Sequence, residues 1–530
     1  MLPLRKAVGF SVLFVLLFAS ACAPVATPAP AATYAPGDYY EEPAMAEPTE
    51  AAAPDAYWAE EPTQGSPSEN RAGQDEPYDM FFQDYGVNPS IDTEDDNLST
   101  FALDVDTGSY TVMRKYLSEG NLPPSDSVRV EEYVNFFDQG YPNPPAHQAF
   151  GISIDGAPSP FTQTERYQML RVGLQGYRVD DRDRKDAALT FVIDVSGSMD
   201  MDNRLGLVKR SLELLVEQLR PTDTVGIVVY GSEARLVLHP TPGSEKGRIL
   251  SAIYELRPEG ATNAEAGLRL GYRTAMEAYL PNGINRVILC SDGVANVGQT
   301  GPDAILGEIK HFVEEGVTLT TIGFGMDNYN DTLMEQLADN GDGFYAYVDD
   351  IDEARRLFLD QITGTLQTIA LDAKVQVDFN RDVVMRYRLV GFENRAIADD
   401  QFRDNTVDAG EVGAGHTITA LYEIKLYPEA HGRIATVNMR WEDPDTHSIT
   451  EIAKDFDTGQ LAFDFGESNP YFRRTVVVAE YAEILKESYW AEESSLRDVY
   501  REAERLSEYF GDDKLMDELV DLIRTANKLK

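Results

Sequence analysis

Ala188-Leu189-Thr190-Phe191-Val192-Ile193-Asp194-Val195-Ser196-Gly197-Ser198 is the stretch that decides the fold. Its first half is a continuous apolar run, the pattern of a strand covered on both faces in a parallel sheet. It ends on one carboxylate and two hydroxyls, and a helix begins a few residues later. Leu205, Val208, Leu212, Leu215 and Leu219 follow the 3, 4, 3, 4 spacing of an amphipathic helix. The same alternation recurs downstream. Thr224–Tyr230, Arg286–Cys290 and Val317–Phe324 read as further buried strands, with Arg235–Leu238 and Gly343–Val348 at the edges. Leu268, Tyr272, Ala275, Met276 and Tyr279 mark a second helix. Strand-helix alternation over residues 187–368 predicts a doubly wound, mostly parallel α/β sheet.

The chemistry sits at the ends of those strands, where open α/β sheets bind ligands. Asp194, Ser196 and Ser198 lie on one strand-to-helix loop, and Gly197 lets that loop turn without a side-chain clash. Thr262, in Gly260-Ala261-Thr262-Asn263, precedes a helix starting near Ala264. Asp292, in Ser291-Asp292-Gly293, follows the strand Arg286–Cys290. All three loops are expected at one edge of the sheet. Carboxylate and hydroxyl oxygens suit a hard divalent cation such as Mg²⁺, Mn²⁺ or Ca²⁺.

Asp-x-Ser-x-Ser, a downstream Thr and a downstream Asp-Gly resemble the metal-ion-dependent adhesion site of von Willebrand factor type A (VWA) domains. The resemblance implies that Asp194, Ser196, Ser198 and Thr262 act as direct or near ligands, with Asp292 acting directly or through water. It also implies an open coordination position that accepts an acidic group from a protein partner. Ser99–Tyr110 and Val128–Phe137, together with the β-rich tail, look like a family of bacterial VWA lipoproteins. Such proteins carry an extension before the VWA domain and a C-terminal region of unassigned function. The similarity covers residues 80–530.

Outward from this centre the pattern changes on both sides. Val375–Phe379 alternates strictly, as do parts of Met385–Val390, Thr417–Leu426 and Arg433–Trp441, so residues 370–465 predict an antiparallel β-sandwich. Residues 81–180 form an N-terminal region, whose strands Gly151–Ile154 and Tyr167–Leu174 are expected to join that sandwich. The α/β domain would then be inserted between its halves. Asn469-Pro470 opens a helical segment, 469–530, with apolar stripes Leu496, Val499, Ala503, Leu506 and Leu515, Leu519, Ile523, Ala526 read as packing faces.

At the N-terminus, Arg5 and Lys6 precede an apolar stretch over residues 7–18, then Ala19-Ser20-Ala21-Cys22. This is an export signal over residues 1–21, and it resembles the lipobox of bacterial lipoproteins, which makes Cys22 the lipidation site. The apolar run is shorter than the ~20 residues a spanning helix needs. Two acyl chains would anchor the protein stably where one is marginal. Residues 22–80 are rich in Ala, Pro and Glu, and Arg71 is the only basic residue between Lys6 and Arg114. They read as a self-repelling tether with a coil span of roughly 40–50 Å. The expected location is the bacterial cell envelope, outside the cytoplasm.

A formal charge of −44 repels nucleic acid and anionic headgroups. Two cysteines, Cys22 and Cys290, exclude a disulfide scaffold, and Cys290 reads as a packed core residue. Asp104, Asp106 and Ser109 echo a metal cradle but lack its strand-loop-helix setting, so they read as turn and capping groups. Asp200 and Asp202 read as acids at a helix start. Three functions are open: metal-dependent protein binding or adhesion, a structural envelope lipoprotein with a stabilising metal site, and a metal-dependent hydrolase. The last is disfavoured, because His147, His239, His311, His416, His431 and His447 all lie outside the three loops and no nucleophile elbow is present. The chain is therefore expected not to be an enzyme.

Overall fold

The computed structural model describes residues 81–530 except 146–147, 163, 165, 181, 294–301, 326–329 and 408. The export signal, Cys22, the tether and His147 lie outside the described residues.

The α/β domain is built on a six-stranded sheet. Its order is Tyr345–Tyr347, Thr318–Gly323, Ile284–Ser291, Ala187–Asp194, Thr224–Tyr230 and Ala234–Pro242. Every neighbouring pair is parallel except the last, where the edge strand runs antiparallel. The continuous apolar strands serve both faces. Leu189, Phe191 and Ile193 point into one core with Leu205, Val208 and Leu212 of the helix Arg204–Gln218. Val192, Val287 and Leu289 point into the opposite core with Leu268, Tyr272 and Ala275 of the helix Ala264–Glu277. Each fully buried Val or Leu contributes at most about 1.5–3 kcal/mol. Cys290 is fully buried in the first of these cores, and that burial pushes its thiol pKa well up, as a packing residue requires.

Two antiparallel sheets form the sandwich. One has the order Ile91–Asp92, Val384–Val390, Thr417–Leu426, Tyr167–Gly176, Phe150–Pro158. The other runs Gly410–Gly413, Thr368–Phe379, Arg433–Glu442, Ile449–Asp457, with Leu98–Ala102 also pairing to Thr368–Phe379. Thr417–Leu426 pairs with Tyr167–Gly176 from Thr417↔Gln175 to Lys425↔Tyr167. The early strands therefore do join the late ones, and the α/β domain is inserted between them.

Residues 81–180 are shared between these bodies. The helix Gly108–Ser118 packs against Tyr345–Tyr347 and the helix Val130–Asn135 packs on the first sandwich sheet. The C-terminal helices Pro470–Leu485, Leu496–Phe510 and Lys514–Leu529 close over them. Tyr110, Met113 and Tyr133 share a core there with Val477, Leu506 and Ile523. The expected stripes are buried, save Leu515 at the margin. No helix among the described residues is long and apolar enough to cross a membrane.

Candidate metal cradle

Three loops meet at the carboxyl edge of the α/β sheet. Asp194 ends its strand, and in the adjacent parallel strand Ile193 pairs with Cys290, which places Ser291-Asp292 beside Asp194. The Gly260-Ala261-Thr262 loop is tied on by backbone bonds: the Gly197 N–H donates to Gly260 O (3.2 Å) and the Glu259 N–H to Val195 O (2.5 Å). Gly260 has φ +77°, and a Cβ there would lie 2.7 Å from the backbone nitrogen of Ser232. Only glycine permits both the left-handed conformation and that approach.

Side chains inside the loops form a chain of oxygens. The Ser196 N–H donates to Asp194 Oδ1 (2.8 Å), and Ser291 Oγ donates to Asp194 Oδ2 (3.0 Å). Ser196 Oγ and Ser198 Oγ are 3.0 Å apart. Ser198 in turn hydrogen-bonds Asp292. Asp194 is fully buried and Asp292 nearly so. Burial pushes the Asp194 carboxyl up to about 6, against the opposing effect of hydrogen bonds from Ser196 and Ser291. Burial also raises Asp292, opposed by Ser198 and Arg204. The structure thus joins Asp194, Ser196, Ser198 and Asp292 through side chains. Thr262 is brought in by its loop: it is half-buried, and the helix behind it is capped by Asn263, whose side chain accepts from the Ala266 N–H (3.1 Å).

Two contributors escaped the sequence reading. Ser291 was visible as the residue before Asp292. Arg204 was not, because nothing in its spacing shows that it turns back: its Nη1 donates to Asp292 Oδ2 at 2.8 Å. Gly325, at φ +96°, makes room for it, since a Cβ there would sit 2.3 Å from Arg204 Nε.

The donor set fits a hard divalent cation. Asp194, Ser196, Ser198 and Asp292 offer only oxygens, and Thr262 is within the same loop cluster. The buried hydroxyl of Tyr230, which pairs in register with Asp194, lies against the Asp194 and Ser291 side chains and adds another oxygen near the cradle. Among the described residues no histidine belongs to the cradle's hydrogen bonds.

Asp104, Asp106 and Ser109 make turn contacts, but the helix Gly108–Ser118 has no side-chain cap, and the two aspartates belong to a buried ion-pair cluster instead. The Asp106 N–H donates to Asp104 Oδ1 (2.8 Å), and Ser109 ties two turns together through Glu132 Oε2 (2.7 Å) and Ser127 O (2.5 Å). Asp104 and Asp106 also meet Glu335 in a buried acidic cluster, with carboxylate oxygens within 4.8 Å of one another. Arg395 lies against it, its Nε donating to Asp104 Oδ2 (3.0 Å) and its Nη2 to Glu335 Oε1 (3.0 Å).

Comparison with known proteins agrees with this architecture. Residues 188–362 match the model for the von Willebrand factor type A domain, and residues 76–170 match one described as von Willebrand factor. Residues 364–529 match the model described as "Uncharacterized protein YfbK, C-terminal". The Escherichia coli (strain K12) protein YfbK is 39% identical over 389 residues, 72% of this chain and 66% of that protein. Human inter-alpha-trypsin inhibitor heavy chain H4 is 28% identical over 34% of this chain and 20% of its own length. The matches thus span from a fifth to about two thirds of these relatives. A solved von Willebrand factor type A structure from Catenulispora acidiphila superposes with a TM-score of 0.43 at 16% identity, covering 73% of this chain and 91% of that one. The chain belongs to the bacterial von Willebrand factor type A domain proteins, and it carries the YfbK-type C-terminal region.

Proposed function

We propose that this protein is a divalent-metal-dependent protein-binding module, held at the outside of the bacterial cell envelope by a lipidated Cys22. The observation that carries the reading is the meeting of Asp194, Ser196, Ser198 and Asp292, with the Thr262 loop, at the carboxyl edge of one sheet. Those residues would hold the ion, which supplies a Lewis-acidic point for a partner Asp or Glu. The ion matters here because a chain of charge −44 otherwise repels an acidic partner. The cradle's own residues supply position and charge, and among the described residues its carboxylates are engaged by Ser291 and by Arg204, which supports a reading of binding over catalysis.

The test is capture from envelope extracts in Mg²⁺ or in EDTA, comparing wild type with Asp194→Ala. Metal-dependent capture by wild type alone is expected. Capture that survives in a folded Asp194→Ala protein would overturn the reading and leave the metal a stabilising role. Palmitate labelling that persists in Cys22→Ala would overturn the anchor.

A further inference from the structure

A second set of buried charges lies away from the α/β domain, between the first sandwich sheet and the helix Pro470–Leu485. Glu423, Glu480 and Glu483 line a cleft there with Arg388. Its cavity of about 20 Å³ is the size of one water or one ammonium group. The rim residues Ser159, Phe161 and Trp490 are half-buried, so the cleft opens to solvent.

Its polar groups are incompletely used. Arg388 Nη1 donates to Glu483 Oε2 (3.1 Å), and Ser488 Oγ donates to the same oxygen (2.7 Å). Glu483 Oε1 and Arg388 Nε, on side chains 97% and 94% buried, have no hydrogen-bond partner. Buried polar groups are nearly always satisfied, so an acceptor left open in a cavity marks a missing donor. Three carboxylates face one guanidinium, and the guanidinium is partly spoken for, since it lies over the Trp490 ring at 5.0 Å. Burial raises Glu423 and pushes Glu480 up to about 7.

We propose that this cleft receives a primary ammonium group, carried by a lysine side chain of a protein partner or by a free small amine. A single metal ion suits it less. The three carboxylates do not gather within 4.8 Å as Asp104, Asp106 and Glu335 do, whereas three N–H donors can reach separate acceptors. The apolar wall of Phe161, Met169, Val390 and Trp490 suits the methylene stem behind such a head.

Trp490 reports occupancy. In the full-length protein at fixed ionic strength, butylammonium and Nα-acetyl-lysine amide are titrated while tryptophan emission is followed. Tetramethylammonium, of equal charge but without N–H donors, is the control. The expected result is a saturable change with the two primary amines only, absent in Trp490→Phe and weakened at least tenfold in Glu480→Gln. Glu423→Gln serves if Glu480→Gln does not fold, as judged by circular dichroism. Tighter binding of the lysine amide assigns a protein source, and tighter binding of butylammonium a free amine. No saturable response, an equal response to tetramethylammonium, or an unchanged Glu480→Gln would overturn the site and leave a water-filled cleft.

Discussion

Two acidic clusters in this molecule look alike by composition and differ in what stands among the carboxylates. In the first, Asp194 and Asp292 share a sheet edge with the hydroxyls of Ser196, Ser198 and Ser291, and Arg204 donates to Asp292 and to the Ser198 carbonyl. In the second, Asp104, Asp106, Glu132, Asp331, Glu335 and Asp339 surround Arg129 and Arg395. Arg129 bonds Glu132 (2.9 Å), Asp331 (2.6 Å) and Glu335 (2.8 Å), and Arg395 bonds Asp104, Glu335 and Asp339, each at 3.0 Å. By carboxylate density the second is the better metal site. Its guanidiniums already stand where a cation would, and they join three regions: the N-terminal segment, the helix Asp331–Asp339 of the α/β domain, and the sandwich loop holding Arg395. Carboxylate count alone therefore does not identify an ion site; the resident counter-charge and the presence of neutral hydroxyls decide.

The largest expected effect breaks the second cluster. Arg395→Ala leaves buried Asp104 and Glu335 beside Arg129 alone and half-exposed Asp339 without its partner, and removing one partner of a buried ion pair costs about 3–5 kcal/mol. Urea unfolding should show that loss, and millimolar Mg²⁺ or Ca²⁺ should not restore it. Restoration by either ion would erase the distinction between the clusters. The next effect concerns the first cluster. An ion present at about 100 times its dissociation constant stabilises the folded state by ~2.7 kcal/mol. Wild type should gain that between EDTA and Mg²⁺ in thermal unfolding, and Asp194→Ala should gain nothing.

A smaller effect comes from pH. Burial, opposed chiefly by Arg129, holds Glu335 up to about 7, from an ordinary 4.5. Between those values the folded state binds a proton that the unfolded chain has released. Stability is therefore greatest below the window and falls as pH rises through it, with a slope of about 1.4 kcal/mol per pH unit for one proton. Urea midpoints of metal-free protein at pH 5.5 and 7 should show the fall, and Glu335→Gln should make it shallower, the remainder coming from other raised carboxylates such as Glu132 and Glu480. A midpoint that rises with pH in wild type would mean that Arg129 and Arg395 keep Glu335 ionised.

The difference between the clusters also explains what the sequence could and could not convey. Asp194, Ser196 and Ser198 lie within five residues behind an apolar strand, so period and chemistry are read together. The strands at 224–230 and 284–291 were legible because buried parallel strands have no polar face, whereas the antiparallel, partly exposed edge strand Ala234–Pro242 showed only over Arg235–Leu238. The strand Ile449–Asp457 was missed because nearly all of it is exposed except Phe456, and its mixed polar composition leaves no alternation to detect. Gly410–Gly413 is too short to show a period. Arg129 and Arg395 are separated by 266 residues and share Glu335; no local pattern connects them. The same holds for Arg204 and Asp292, 88 residues apart.

Arg204 offers the finest test. Its guanidinium neutralises Asp292 at 2.8 Å, which spares that buried carboxylate an uncompensated charge. A divalent ion in the cradle would bring like charge toward Arg204 at the same oxygen set, and such repulsion is only partly screened near a protein surface. Arg204 therefore stands as a competitor for Asp292. Arg204→Gln removes the charge and keeps a hydrogen-bond donor on a shorter side chain. Mg²⁺ affinity by calorimetry should tighten about fivefold, or ~1 kcal/mol, with a loss of stability in EDTA because buried Asp292 is left without its partner. If affinity weakens instead, Arg204 holds Asp292 in its ligating orientation, and the first cluster resembles the second more than its open hydroxyls suggest.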